Sequence, residues 1–151
     1  MARATAALTA AARALGRHRL VVAGVLLAPA GWWLLAQQGR LPAVDDGWRL
    51  ACLLLLYPCL EEWCFRGGLQ AWLAARRWRA GPWFGISIAN LLASLLFAAA
   101  HLPTRPIALA AATLLPSLLL GAVKERYGRI GPAIGLHAYF NAGLLVDGHL
   151  L

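Results

Sequence analysis

Three charged residues, Glu61, Glu62 and Arg66, interrupt an otherwise largely apolar run at 48–75. An ionisable side chain at the depth of a bilayer costs at least about 2.5–3.5 kcal/mol, so such residues usually face a protein interior or a water-filled cavity. Glu62 and Arg66 are four residues apart and can form an ion pair on one face of a helix. Glu61 is rotated by about 100° from Glu62 and therefore needs a partner from another part of the chain.

Two further pairs with the same spacing place an imidazole in later apolar runs: Phe97 with His101, and His137 with Asn141. Residues four apart lie on the same face of a helix. Buried ionisable groups are costly when they lack partners, so we predict that Glu61 meets His101 and His137 in one site.

Such a cluster is suited to the activation of water. A carboxylate and an imidazole can together hold and deprotonate a water molecule. A second histidine and an asparagine on a facing helix can donate hydrogen bonds to an oxyanion. The predicted reaction is hydrolysis of a peptide bond in a substrate that reaches the site from the membrane.

The composition indicates which elements must position these residues. Of the 151 residues, 61% are hydrophobic and only 13% are charged, whereas soluble domains have about 25% charged residues. We therefore expect a single integral-membrane domain over residues 1–151 that is all-α, a polytopic transmembrane helix bundle. The net charge of +8 comes from arginines near the ends of apolar runs, which favours membrane topology over nucleic-acid binding.

The apolar runs predict about five spans after a basic N-terminal segment at 1–19, and they cover about 20–36, 48–75, 83–101, 107–123 and 130–148. The basic segments at 1–19, 76–79 and 124–129 favour a cytoplasmic N-terminus. A secretory signal within residues 1–30 is the alternative to a retained first span. Pro58 should remove the hydrogen bond to residue 54, kink the second span and open room for water.

Counting along straight spans raises a difficulty with depth. Glu61 would lie near mid-membrane, His101 near the outer end of its span, and His137 about 10 Å from the cytoplasmic end of its own. Tilt, the kink at Pro58, or a recessed turn at 102–106 would be needed to bring the three side chains together.

The three motifs, Glu61-Glu62-x-x-x-Arg66, Phe97-x-x-x-His101 and His137-x-x-x-Asn141, resemble those of the CAAX-protease and bacteriocin-processing (CPBP, or Abi) family. The resemblance covers about residues 50–145 and implies a glutamic-type intramembrane endopeptidase without a cofactor. It implies that Glu61 is the general base and that His101 orients the water, with His137 and Asn141 at the oxyanion. Glu62, Arg66 and Phe97 would support the site.

Small bacterial members linked to C-terminal sorting signals, the JDVT-CTERM-associated and myxosortase-like proteases, resemble the chain better than the larger prenyl-protein proteases of the family, which have about eight spans. This similarity implies a membrane-anchored protein or peptide substrate, cut near a C-terminal sorting or anchor segment. The expected location is the inner membrane of a bacterium, with the lipid bilayer as the surrounding partner and no nucleic acid.

Three alternatives use the same residues. A zinc-dependent membrane protease is possible because Glu and His are zinc ligands, although the sequence contains no HExxH motif. A non-catalytic membrane scaffold or immunity protein would use the polar residues only as hydrogen bonds between helices, as we expect for Asn90 and Ser94. A small transporter would use Glu and His as a proton relay, but no inverted repeat is evident.

Overall fold

The computed structural model describes residues 2–37, 46–76 and 86–150, and the regular structure there is helical, which confirms the all-α prediction. Five long helices make up the described part of the chain: α1 (Ala2–Ala36), α2 (47–75), α3 (Ile88–Ala100), α4 (Ile107–Tyr127) and α5 (Gly131–Leu150). Most of the predicted loop at 37–47, most of the basic turn at 76–79 and the start of the third predicted span at 83–85 lie outside the described residues.

Two stretches of the described helices are long and apolar enough to cross a membrane, His18–Leu35 and Ile107–Tyr127, while Ile88–Ala100 is apolar but shorter. Large apolar side chains on the outer surface are strongly exposed, including Leu26 at 72%, Ile107 at 78% and Leu115 at 77%. Apolar surface of this extent fits contact with lipid. The number of spans stays a prediction.

Helix α1 is continuous from Ala2 to Ala36, so no helix boundary separates the basic N-terminal segment from the first apolar run. It packs along α5, where the Trp32 indole donates to the Phe140 carbonyl at 3.1 Å. A Cβ atom at Gly143 would collide with the Trp32 ring. A glycine is therefore required at 143 for this close approach of the two helices.

Helix α2 changes its hydrogen-bonding register along its length. The side chain of Asp46 caps its start by accepting from the backbone amides of Trp48 and Arg49. Two π-helical stretches, Cys52–Leu56 and Trp63–Gln70, flank an α-helical segment, Tyr57–Glu62. Single π-turns within helices are frequent at functional sites, and these two flank the pair of carboxylates.

Helix α4 consists of Ile107–Ala112 and Leu114–Tyr127, which meet at Thr113. The interruption precedes Pro116 by three residues, which is consistent with the inability of proline to continue the preceding turn of a helix. The helix ends at Gly128, whose φ of 69° lies in the left-handed region. Glycine adopts this conformation without a steric penalty and is the common residue after a helix C-terminus.

The contact between α3 and α4 contains polar groups in an apolar surrounding. Asn90 Nδ2 donates to the Leu118 carbonyl at 2.9 Å, and Ser94 donates to Asn90 Oδ1 at 3.1 Å. A Cβ atom at Gly121 would collide with the Asn90 side chain. The expectation of a hydrogen bond between helices is therefore confirmed for Asn90, whereas Ser94 donates to Asn90 on its own helix.

Candidate active site

The two carboxylates of α2 lie on either side of one histidine of α5. His137 Nδ1 is 3.0 Å from Glu62 Oε1, and His137 Nε2 is 3.6 Å from Glu61 Oε2. Glu61 and Glu62 are adjacent in sequence and point in different directions, yet both carboxylates approach the His137 ring. The structure brings Glu61 and His137 together, as the motif spacing predicts.

The predicted ion pair within α2 is present. Arg66 Nε lies 3.3 Å from Glu62 Oε2, and both side chains are fully buried. Arg66 Nη2 also donates to the carbonyl and the hydroxyl of Ser117 on α4, at 3.0 and 2.8 Å. Glu62 is therefore held between a guanidinium and an imidazole, and α2 is tied to α4 as well as to α5.

Phe97 of α3 packs at the centre of these groups. Its ring centroid lies 4.9 Å from Arg66 Cζ, 4.7 Å from the His101 ring and 6.0 Å from the His137 ring. Cations are attracted to the face of an aromatic ring at such distances. Phe97 thus contacts residues from all three motifs and keeps the space between them apolar.

His101 follows the last residue of α3 and is oriented by its own helix. Its Nδ1 is 2.8 Å from the Phe97 carbonyl oxygen. Because a carbonyl oxygen only accepts, Nδ1 carries the proton in this contact, and Nε2 of the neutral ring is left as an acceptor. This is the arrangement that a water-orienting histidine requires.

A cavity of about 220 Å³ adjoins the cluster. Its polar wall includes His101, His137, Asn141 and Ser117, and Arg105 is the cation among the lining residues. The remaining wall is largely apolar, with contributions from Leu53, Phe97, Leu109, Leu120, Phe140 and Leu144. The two histidines that sequence counting placed at different depths therefore face one space.

Glu61 is placed differently from the other predicted catalytic residues. Among the described residues, those that line the cavity do not include Glu61, which contacts the lining residue His137 instead. About 33% of its side chain is exposed. The Glu61 carboxylate is thus accessible, whereas Glu62 is not.

Asn141 lies one helical turn after His137 and lines the same cavity. Its Nδ2 donates to the backbone carbonyl of Leu53 on α2 at 2.8 Å. This contact joins α2 to α5 a second time, beside the contacts of Glu61 and Glu62 with His137.

Sequence reasoning missed a row of polar contacts beyond Arg66. Gln70 Nε2 donates to the Gly121 carbonyl at 3.2 Å and to Glu125 Oε1 at 2.8 Å, and Ser87 also donates to Glu125 Oε1. The available signal was the spacing of Glu62, Arg66 and Gln70, which repeats every four residues on one face.

The zinc alternative needs three suitable ligands close together. Within residues 2–37, 46–76 and 86–150, no group of three or more His, Cys, Asp or Glu side chains has an arrangement that would hold a metal ion. His137 Nδ1 is engaged by Glu62, which is itself paired with Arg66. The chelator experiment in the Discussion distinguishes a glutamic from a zinc mechanism.

The sequence of the chain matches a known protein family. The family described as Type II CAAX prenyl endopeptidase Rce1-like matches residues 43–143, more than half of the chain and a range that contains all three motifs. The chain belongs to this family. Membership in the Rce1-like family confirms the resemblance to CAAX proteases and makes the chain a CAAX-type intramembrane protease, a hydrolase. No curated protein and no solved structure matches this Rce1-like chain.

Proposed function

We propose that the chain is a glutamic-type endopeptidase that hydrolyses a peptide bond in a membrane-anchored protein, near a C-terminal sorting or anchor segment. The observation that carries the proposal is the placement of His137 between Glu61 and Glu62, at 3.6 and 3.0 Å, in the wall of a cavity that His101 shares.

Glu61 is the general base in this proposal. It is the accessible carboxylate of the pair, while Glu62 is fully buried and engaged by Arg66. A general base must reach the proton that it removes directly or through one water molecule. The water would lie between Glu61 and the Nε2 of His101, lose a proton to the carboxylate and attack the scissile carbonyl. Collapse of the tetrahedral intermediate would then break the C–N bond, and the protonated Glu61 would give its proton to the leaving amine.

The developing oxyanion would lie on the side of the cavity lined by His137. A hydrogen-bond donor in a water-poor site stabilises such a charge far better than it would in water. The family resemblance assigns Asn141 to the same role; Asn141 lines the cavity, and its Nδ2 donates to the Leu53 carbonyl. Arg66 supplies the counter-charge for Glu62 and does not touch the substrate.

The cavity supports a substrate that is mainly apolar. Its wall is largely aliphatic and aromatic, with Arg105 as the one lining cation among the described residues. An apolar segment that carries a single negative group, such as a chain terminus, would suit this lining. Bacterial inner-membrane location and a sorting-signal substrate belong to the same proposal and are supported by the motif resemblance.

The test is co-expression of the chain with candidate membrane-anchored precursors, scored by a change in precursor size. Wild type should cleave a precursor, Glu61→Gln should not, and the exposed-carboxylate control Asp46→Asn should cleave normally. Processing that persists at the wild-type rate in Glu61→Gln would refute the proposal. Stable binding of a precursor without cleavage would favour the non-catalytic scaffold instead.

A further inference from the structure

Two side chains of α5 donate hydrogen bonds to backbone carbonyls in other helices, at places where a proline lacks the N–H that would normally bind the carbonyl. In α1, Pro29 has no N–H for the Val25 carbonyl four residues earlier, and the Tyr139 hydroxyl donates to that carbonyl at 3.1 Å. In α2, Asn141 Nδ2 donates to the Leu53 carbonyl. The hydrogen-bonding register of α2 determines which proline accounts for the second contact.

The first π-helical stretch of α2 determines which carbonyl Pro58 leaves without a partner. The N–H of Tyr57 donates to the carbonyl of Cys52, a step of five residues. In the same register the donor for the Leu53 carbonyl would be residue 58, which is a proline without an N–H. The sequence prediction named residue 54 because it assumed the four-residue step of an α-helix, whereas the five-residue step of Tyr57 points to residue 53.

An unpaired backbone carbonyl is costly where water is excluded. Asn141 removes that cost for Leu53, and it does so at the edge of the cavity that both residues line. Leu53 precedes Glu61 by about two turns of α2, and Asn141 follows His137 by about one turn of α5. The contact therefore holds the two helices together next to the carboxylate and imidazole that must meet.

We propose that Asn141 is a positioning residue: its carboxamide replaces the N–H that Pro58 lacks, and this bond sets the placement of His137 against Glu61. The activity readout of this inference rests on the proposed peptidase function, whereas the hydrogen bond and its effect on stability do not. Direct donation from Asn141 to the oxyanion is the competing outcome.

A double-mutant cycle separates the two roles, since Pro58→Ala restores a backbone donor for Leu53. Asn141→Ala should lower both the Tm in detergent and kcat, the latter by about tenfold or more, because a small misplacement of catalytic groups is enough to slow the reaction by this amount. In the Pro58→Ala background the same substitution should lower kcat by only about threefold or less, because contacting residues show coupling. Equal loss of kcat in both backgrounds would overturn the proposal and favour an oxyanion donor.

A second variant keeps the test valid should Pro58→Ala fail to fold. Asn141→Asp has nearly the same shape, but the ionised side chain cannot donate to a carbonyl. The positioning role predicts a fall in Tm as large as that of Asn141→Ala. A loss of kcat without a fall in Tm would overturn it. If the wild type cleaves no precursor, the Tm values of the double-mutant cycle still test the hydrogen bond between Asn141 and Leu53. Failure of the proposed function and failure of this inference are therefore distinguishable.

The contact between Tyr139 and Val25 is the matched control, because it has the same chemistry away from the cavity. Tyr139→Phe should lower the Tm of the wild type. It should lower the Tm of Pro29→Ala by less, because that substitution restores a backbone N–H for the Val25 carbonyl. It should leave kcat within about twofold of wild type, as expected of sites that do not interact. A loss of kcat equal to that of Asn141→Ala would show that any loosening of α5 impairs activity, and would overturn the specific role of Asn141.

Discussion

Two buried polar regions of the molecule look alike in sequence and differ in structure. In one, the His137 ring, which lines a cavity of about 220 Å³, contacts both Glu61 and Glu62. In the other, the Gln70 and Asn90 amides donate to the carbonyls of Gly121 and Leu118 across helix contacts. Of the described residues, those that line the cavity include neither Gln70 nor Asn90.

The difference shows what separates chemistry from packing in a membrane-helix bundle. Polar side chains in both regions are costly to bury and need partners. In the Gln70 region the side-chain amides donate to backbone carbonyls of a neighbouring helix, so these side chains join helices. In the His137 region the two imidazoles of His101 and His137 line open space, and the accessible Glu61 carboxylate contacts one of them. An adjoining cavity, and not polarity alone, distinguishes the candidate site.

The largest expected effect is on catalysis at Glu61. Glu61→Gln should lower kcat by about 10³-fold, within the range of general-base catalysis, with the Tm close to that of wild type. Glu125→Gln in the second region is the matched control and should keep kcat near wild type, because Glu125 accepts hydrogen bonds from Gln70 and Ser87 and is not among the described residues that line the cavity. Kinetics on a purified precursor measure both, and equal losses would erase the distinction between the regions.

A change at Arg66 should affect stability more than chemistry. Arg66→Met leaves the fully buried Glu62 without its guanidinium, and removing one partner of a buried pair typically costs about 3–5 kcal/mol. Thermal unfolding in detergent should show a large fall in Tm and a low yield. The double variant Glu62→Gln/Arg66→Met should recover part of the loss; a double variant no better than Arg66→Met would contradict the pairing.

A smaller effect is expected in the second region. Gly121→Ala places a Cβ against the Asn90 side chain, and overpacking of this kind costs about 1–3 kcal/mol. The Tm should fall while kcat per folded molecule stays unchanged. Gly135→Ala is the control, since nothing among the described atoms lies within 4 Å of a Cβ there. A loss of kcat in Gly121→Ala with unchanged Tm would mean that the second region takes part in catalysis.

The smallest expected effect is that of a chelator. A glutamic-type site needs no metal, so treatment of purified protein with a zinc chelator should leave the cleavage rate of the precursor unchanged. Activity that is lost and then restored by added zinc would support the zinc alternative, which rests on the ligand types Glu and His.

The sequence was sufficient for the helical class and for the pairs Glu62–Arg66 and Phe97–His101, because a four-residue spacing fixes which side chains share a helix face. It could not supply contacts set by how helices dock, such as Ser117 on Arg66 or Asn141 on Leu53. The depth estimates for His101 and His137 treated each span as a straight α-helix. Helix α2 departs from that geometry in two π-helical stretches, which sequence periodicity did not reveal.

The exposed thiols of Cys59 and Cys64 stand close to Glu61 and Glu62 along α2, while Cys52 is buried. The native chain therefore carries two thiols that can be labelled close to the carboxylates of the candidate site. Maleimides that do or do not permeate lipid, applied to intact cells, would report the aqueous access of each thiol without any substitution. The pattern of labelling would show whether the water boundary along α2 falls between the two thiols, which are five residues or about 7.5 Å apart along the helix.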